Sequence, residues 1–113
     1  MNLINYDILI LWINIKGKLM VNIISHPLVQ HKLTLMRDKN TQPNQFRQLT
    51  HEISHLIGYE AMRGLATKAI WIETPITGAN FPSLAGSKLL LVPILRAGLI
   101  MADAISILVP TAQ

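Results

Sequence analysis

"KLLLVPILRAGLIMADAISILV", Lys88 to Val109, is the stretch whose reading decides the fold. Its first part, "KLLLVP", is a nearly continuous apolar run of strand length, the pattern of a strand buried on both faces. Its last part, "GLIMADAISILV", has helix length and stops at Pro110. Strand, tight turn and helix make half of a βαβ unit. In open α/β sheets, ligands bind at the edge where strand gives way to helix. Arg96, in "VPILRAGL", is the only charge between Lys88 and Asp103. A lone guanidinium there either anchors something anionic or reaches out to water along its apolar stem.

Upstream, "VNII" (Val21 to Ile24) alternates like a short strand, and "SHPL" turns the chain. Pro27 fixes its own φ and pushes His26 toward an extended conformation. A short helix is expected over Leu28 to Met36. A longer one follows, with Thr41 as its expected cap and Pro43 in its first turn. Its apolar positions Phe46, Leu49, Ile53, Leu56 and Ile57 fall at helical spacing, and it should end near Ala61, before Gly64. "KAIWIETPITG" reads as an extended segment ending in turn residues, and "NFPSLAGS" as a loop.

At 113 residues and 50% hydrophobic, the chain is about one domain long with a modest core. The net charge of +4 comes from scattered Lys and Arg without a basic run, so nucleic-acid binding is not indicated. An anionic small substrate and an ordinary solvated surface both fit this balance. The absence of cysteine excludes disulfides, thiol nucleophiles and thiolate metal sites, and fits a cytoplasmic enzyme. "ILILWINI" (Ile8 to Ile15) is far short of the roughly 20 residues needed to span a bilayer. Asp7 before it and Lys16 and Lys18 after it are the wrong flanks for a secretory signal. Residues 1–19 are expected to form a β-prone extension of doubtful relevance, with Met20 a plausible internal start, and residues 20–113 the functional domain.

"HEISH" (His51 to His55) matches HExxH, in which two histidines one turn apart bind zinc and the glutamate acts as general base. Glu73 lies downstream as a possible third ligand. The helical spacing turns His51 and His55 away from the apolar stripe, toward water, and Arg47 one turn earlier would oppose a cation. No metal site is therefore expected, and the pair reads as part of a polar helix face. His26 and His31 have no sequence-local carboxylate partner and read as loop or capping residues. Glu60 falls on the inward side of the long helix and should be paired or near a boundary, with Tyr59 beside it.

The blocks "SHPLVQHKLTLMRD", "FRQLTHEISHLIGYEA" and "LLLVPILRAGL" followed by "VPTAQ" resemble, in order and spacing, the N-terminal half of a uracil phosphoribosyltransferase. The resemblance covers about Val21 to Gln113. It implies the N-terminal portion of a type I phosphoribosyltransferase fold: an α/β domain with a helical N-terminal segment, then the first strand–loop–helix of a parallel sheet. It also implies transfer of the 5-phosphoribosyl group of 5-phosphoribosyl 1-diphosphate to uracil, giving UMP and diphosphate, with magnesium assisting the diphosphate. "ILRAGL" then matches the family's pyrophosphate loop. Arg96 would donate charge-assisted hydrogen bonds to the diphosphate, while Ala97 and Gly98 would let backbone N–H groups approach it at the mouth of the following helix. No residue of this segment is expected to be a nucleophile or an acid–base catalyst. Glu52 matches a recurrent acidic position, which makes HExxH a coincidence laid over a structural helix.

The sequence also departs from the family. The threonine-rich ribose-phosphate loop and the uracil-reading segment of the complete enzyme have no counterpart, and Ile100 and Ala104 stand where relatives often carry glycine. The chain alone is thus expected to be incomplete and inactive, and the "KLLLV" strand to expose apolar surface that favours association. The alternative is a noncatalytic module that pairs with a full-length homologue. The resemblance further implies a homo-oligomer, with no nucleic-acid or membrane partner.

Overall fold

Residues 8–13, 19–85 and 89–112 are described by a computed structural model. The readings that rest on Asp7, Lys16 and Lys18, on Gly86 to Lys88 and on Gln113 fall outside these residues. Two strands, β1 (Ile8–Ile13) and β2 (Leu19–Ile24), pair antiparallel from Ile8↔Ile24 to Ile13↔Leu19. The β-prone residues 8–13 are thus a strand, laid against the segment that leads into the first helix.

Helix α1 (Pro27–Arg37) starts where the His26–Pro27 pair directs it. His26 is extended, and its Nδ1 accepts a hydrogen bond from the Leu28 N–H at 3.1 Å, while Pro27 occupies the first turn, where no N–H is needed. The capping role read for His26 holds. Helix α2 (Pro43–Ala61) begins at Gln42, which makes no side-chain cap, and not at Thr41. The Thr41 hydroxyl is used elsewhere: it donates to the Leu35 carbonyl at 2.5 Å and so helps close the end of α1. A single 3₁₀ turn (Met62–Gly64) ends α2 near the expected glycine.

α2 is the central element, touching α1, β1 and the C-terminal helix α3 (Gly98–Leu108). Val29 of α1, Leu49, Ile53 and Ile57 of α2, and Ala104 of α3 are buried together with Ser54, whose hydroxyl is satisfied by the Thr50 carbonyl at 2.6 Å. Burying each of the larger side chains is worth about 1.5–3 kcal/mol. The buried arc of α2 also includes Gly58, so it extends beyond the apolar stripe. A Cβ at Gly58 would lie 2.9 Å from Ile105 Cγ1, so the glycine is what lets α3 approach this closely.

β3 (Thr67–Glu73) and β4 (Gly78–Leu84) form an antiparallel hairpin paired from Thr67↔Leu84 to Glu73↔Gly78. The "NFPSLAGS" segment, expected as a loop, supplies most of β4. Pro82 is out of the ordinary there, because proline normally demotes a strand. The register resolves it: Ala85 N–H bonds Ala66 O and Thr74 N–H bonds Thr77 O, so hydrogen-bonded pairs fall on even positions of β3. Pro82 faces Ala69 at a non-hydrogen-bonded pair, where its missing N–H costs nothing. At the tip, Thr74 Oγ1 accepts from the Thr77 N–H at 3.1 Å, around Pro75 and Ile76.

Residues 89–93, the described part of the "KLLLVP" run read as a strand buried on both faces, belong to no strand among the described residues. Their exposure alternates: Leu89, Leu91 and Pro93 are half-buried, whereas Leu90, Val92 and Ile94 are 71%, 79% and 85% exposed. The segment therefore keeps the period of a strand with one covered face.

The closeness of α2 and α3 makes Gly58→Val a direct probe. The rigid Ile105 stem cannot yield to a branched side chain, and overpacking of this kind costs about 1–3 kcal/mol. Urea denaturation should show a lower midpoint for Gly58→Val with an unchanged slope.

Candidate anion-binding site

The turn between the extended segment and α3 presents Arg96. The Gly98 N–H bonds the Ile94 carbonyl at 2.8 Å and the Leu99 N–H the Arg96 carbonyl at 3.3 Å, which folds residues 94–98 into a tight knuckle. The Leu95–Arg96 peptide bond is cis. Arg96 and Ala97 are both exposed, and among the described residues the Arg96 side chain has no hydrogen-bond or ion-pair partner. Ala97 is the N-cap of α3, its N–H bonds none of the described residues, and no acidic residue occupies the helix's first turn. The Ala97 N–H, the positive end of the helix dipole and a guanidinium with no partner among the described residues thus meet at one place. That combination suits a phosphate-type anion.

The three residues singled out in the sequence stand together in this turn. Gly98 spends its N–H on Ile94, so that group is not available to a ligand. Its lack of a side chain matters instead: a Cβ at position 98 would sit 3.2 Å from both Cα and Cβ of Pro93. Pro93, half-buried at the base of the turn, was not recognised as part of the site. The available signal was the spacing of a proline and a glycine on either side of the knuckle.

HExxH is realised as a helix face, but not as expected. The His51 and His55 rings lie edge to face with centroids 6.0 Å apart, and both residues are half-buried rather than turned to water. The apolar stripe marked only part of the buried arc. Small residues Ser54 and Gly58 extend that arc toward the histidines by admitting α3, and His55 Nε2 is buried without a partner. Glu52 is not free to act as a base: Lys32 Nζ from α1 reaches Oε2 at 2.5 Å and Gln48 Nε2 reaches Oε1 at 2.9 Å. Among the described residues, no group of three or more His, Cys, Asp or Glu side chains could hold a metal ion. Glu73 lies away on β3.

The Lys32 ammonium, and after it the Gln48 amide, holds the Glu52 carboxyl below the usual glutamate range against an opposing effect of burial. Glu60 is likewise held low by Arg63, whose Nε and guanidinium bond both carboxylate oxygens at 2.8 and 2.7 Å. Glu60 is therefore paired, as its position on α2 required, whereas Tyr59 is exposed. A cleft of about 400 Å³ is lined by Tyr59, Met62, Arg63, Leu65, Leu84 and Val109. It opens at the C-terminal end of α3, about 16 Å along the 11-residue helix from the Arg96 turn.

An exposed arginine thus stands at the mouth of a helix seated on a helical layer, and such strand–turn–helix edges are where α/β domains bind ligands. The comparisons make this specific: residues 23–113 match the family model for uracil phosphoribosyltransferase, and the chain belongs to that family. The uracil phosphoribosyltransferase of Deinococcus radiodurans is 56% identical over 95 residues, which are 84% of this chain and 45% of that protein. That of Alkaliphilus oremlandii is 55% identical over 93 residues, 82% of this chain and 44% of the relative. Among solved structures, the AQ2163 protein from Aquifex aeolicus superposes with a TM-score of 0.72 at 31% identity, over 80% of this chain and 43% of that one. The chain thus spans less than half the length of the relatives it matches and holds the corresponding part of their α/β fold. No helix of the described residues is long and apolar enough to cross a membrane.

Because pairing lowers the Glu52 pKa in the folded chain, its contribution is complete at neutral pH and is lost as pH falls through that lowered value. The Lys32–Glu52 pair is only partly buried, so it is worth about 0.5–1 kcal/mol. Glu52→Gln should be less stable than the parent by about this amount at neutral pH. The gap should close as the pH drops below the usual glutamate range, as read from urea midpoints across pH.

Proposed function

We propose that this chain is the diphosphate-binding part of a uracil phosphoribosyltransferase. The complete enzyme would join uracil to the ribose C1 of 5-phosphoribosyl 1-diphosphate, releasing diphosphate and giving UMP for pyrimidine salvage in the cytoplasm. The observation that carries this reading is Arg96, exposed and unpaired beside the free Ala97 N–H at the mouth of α3. As the bond from C1 to the diphosphate breaks, negative charge grows on the leaving group, and the Arg96 guanidinium would stabilise it electrostatically. Gly98 contributes by shaping the turn. Magnesium would enter with the diphosphate substrate. The turn offers no carboxylate cluster to bind it, so no step is assigned to the metal here.

The activity belongs, on this reading, to a full-length enzyme, and the 113-residue chain alone forms no UMP. The span of under half the relatives' length supports this. Exposed Trp71, Ile76 and Phe81 on the β3–β4 hairpin support a homo-oligomer. A second reading, a noncatalytic module that docks on a full-length homologue, is favoured by the open apolar face of Leu90, Val92 and Ile94.

Calorimetric titration of the purified chain with inorganic diphosphate tests the main reading. Saturable binding is expected, weakened about tenfold or more in Arg96→Ala, since a charge-assisted contact is worth roughly 1.5–3 kcal/mol. Equal affinity in the variant, or UMP formed from uracil and the diphosphate donor by the chain alone, would contradict the corresponding part of the proposal.

A further inference from the structure

We propose that Pro93 and Gly98 form a clasp at the base of the Arg96 turn, and that Pro93 is a positioning residue for anion binding although it touches no ligand. The inference rests on the diphosphate reading of Arg96. The turn is closed at two points. One is the hydrogen bond from the Gly98 N–H to the Ile94 carbonyl at 2.8 Å. The other is the packing of Gly98 directly on Pro93, where an added Cβ would meet Pro93 Cα and Cβ at 3.2 Å and its carbonyl carbon at 3.4 Å. Two of those three atoms are backbone, so the obstruction cannot be relieved by a rotamer change. Pro93 cannot swing away by rotating about φ, because its ring fixes that angle.

Between these two points lie Ile94, Leu95, Arg96 and Ala97, all exposed. Among the described residues, nothing grips the Arg96 side chain. The path of the backbone between Pro93 and Gly98 therefore sets where the Arg96 stem starts and where the Ala97 N–H points. A shift at the base is carried into the position of both the Arg96 Cα and the Ala97 N–H. Anion recognition by two donors on one short turn depends on their spacing, and small misplacements of such groups cost severalfold or more in binding. The glycine thus serves the site through what it leaves empty, and the proline through its rigidity.

The clasp makes a prediction that a merely structural role does not. In Gly98→Ala the crowding against Pro93 opposes the better helix propensity of alanine at the first residue of α3, so the unfolding midpoint should move little. The substitution should nevertheless weaken inorganic diphosphate binding to the full chain by about fivefold. Pro93→Ala, which keeps Cβ but frees φ, should weaken it by a similar factor, and decides the matter if Gly98→Ala fails to fold. The readout is calorimetric affinity alongside the urea midpoint, with ¹⁵N shifts of the Arg96 and Ala97 amides reporting the turn. If Arg96→Ala loses affinity while both clasp variants bind like the parent, the clasp is wrong and the diphosphate reading stands. If the parent does not bind diphosphate, or Arg96→Ala binds equally well, both fall.

Discussion

The close approach of α3 to α2 at Gly58 is the constraint on which the rest of this structure depends. Without a side chain at position 58, Ile105 seats against the α2 backbone and Ala104 becomes fully buried beside it. On the other flank of α2, Lys32 reaches Glu52 and Val29 joins Leu49 and Ile53 in the core. α2 is thus a frame with a helix on each side. The position of the Arg96 turn follows from it, because that turn is the N-terminal mouth of the helix that Gly58 admits.

This arrangement separates what holds the chain together from what it presents. The buried set is small and helical, whereas the extended elements carry exposed apolar surface: Trp71 and Ile76 on the hairpin, and Leu90, Val92 and Ile94 before the turn. The cleft at the far end of α3 has Arg63 in its wall, but that cation is paired with Glu60, whereas Arg96 has no partner among the described residues. In the HExxH stretch, Glu52 is tied to Lys32 and Gln48, and the histidines are drawn partly inward by the same packing that brings α3 close.

Where local chemistry decides the conformation, the sequence was sufficient to read it. His26–Pro27 sets the start of α1, the spacing of Leu49, Ile53 and Ile57 marks α2, and Pro110 lies just beyond the end of α3. It misled where tertiary context overrides a local rule. Pro82 is tolerated in β4 because the register gives it a non-hydrogen-bonded position, which only the partner strand fixes. Thr41 serves the end of α1 instead of capping α2 because the two helices share a short connection. An apolar stripe does not count small residues, so Ser54 and Gly58, and with them the second buried side of α2, were missed. Arg96, Ala97 and Gly98 were legible as a group, but what Gly98 packs against was not. Its contact with Pro93 depends on a backbone path that no propensity encodes.

The central claim is that α2 and α3 form one packed unit that carries the Arg96 turn. Native-state hydrogen exchange tests this most directly, since residues that open together exchange with a common free energy. Amides of α2 around Ile53 to Gly58 and of α3 around Ala104 to Leu108 should be the slowest in the chain and should lose protection together. Those of the β3–β4 hairpin should exchange faster. Fast, independent exchange of α3, at the rate of the hairpin, would contradict the account.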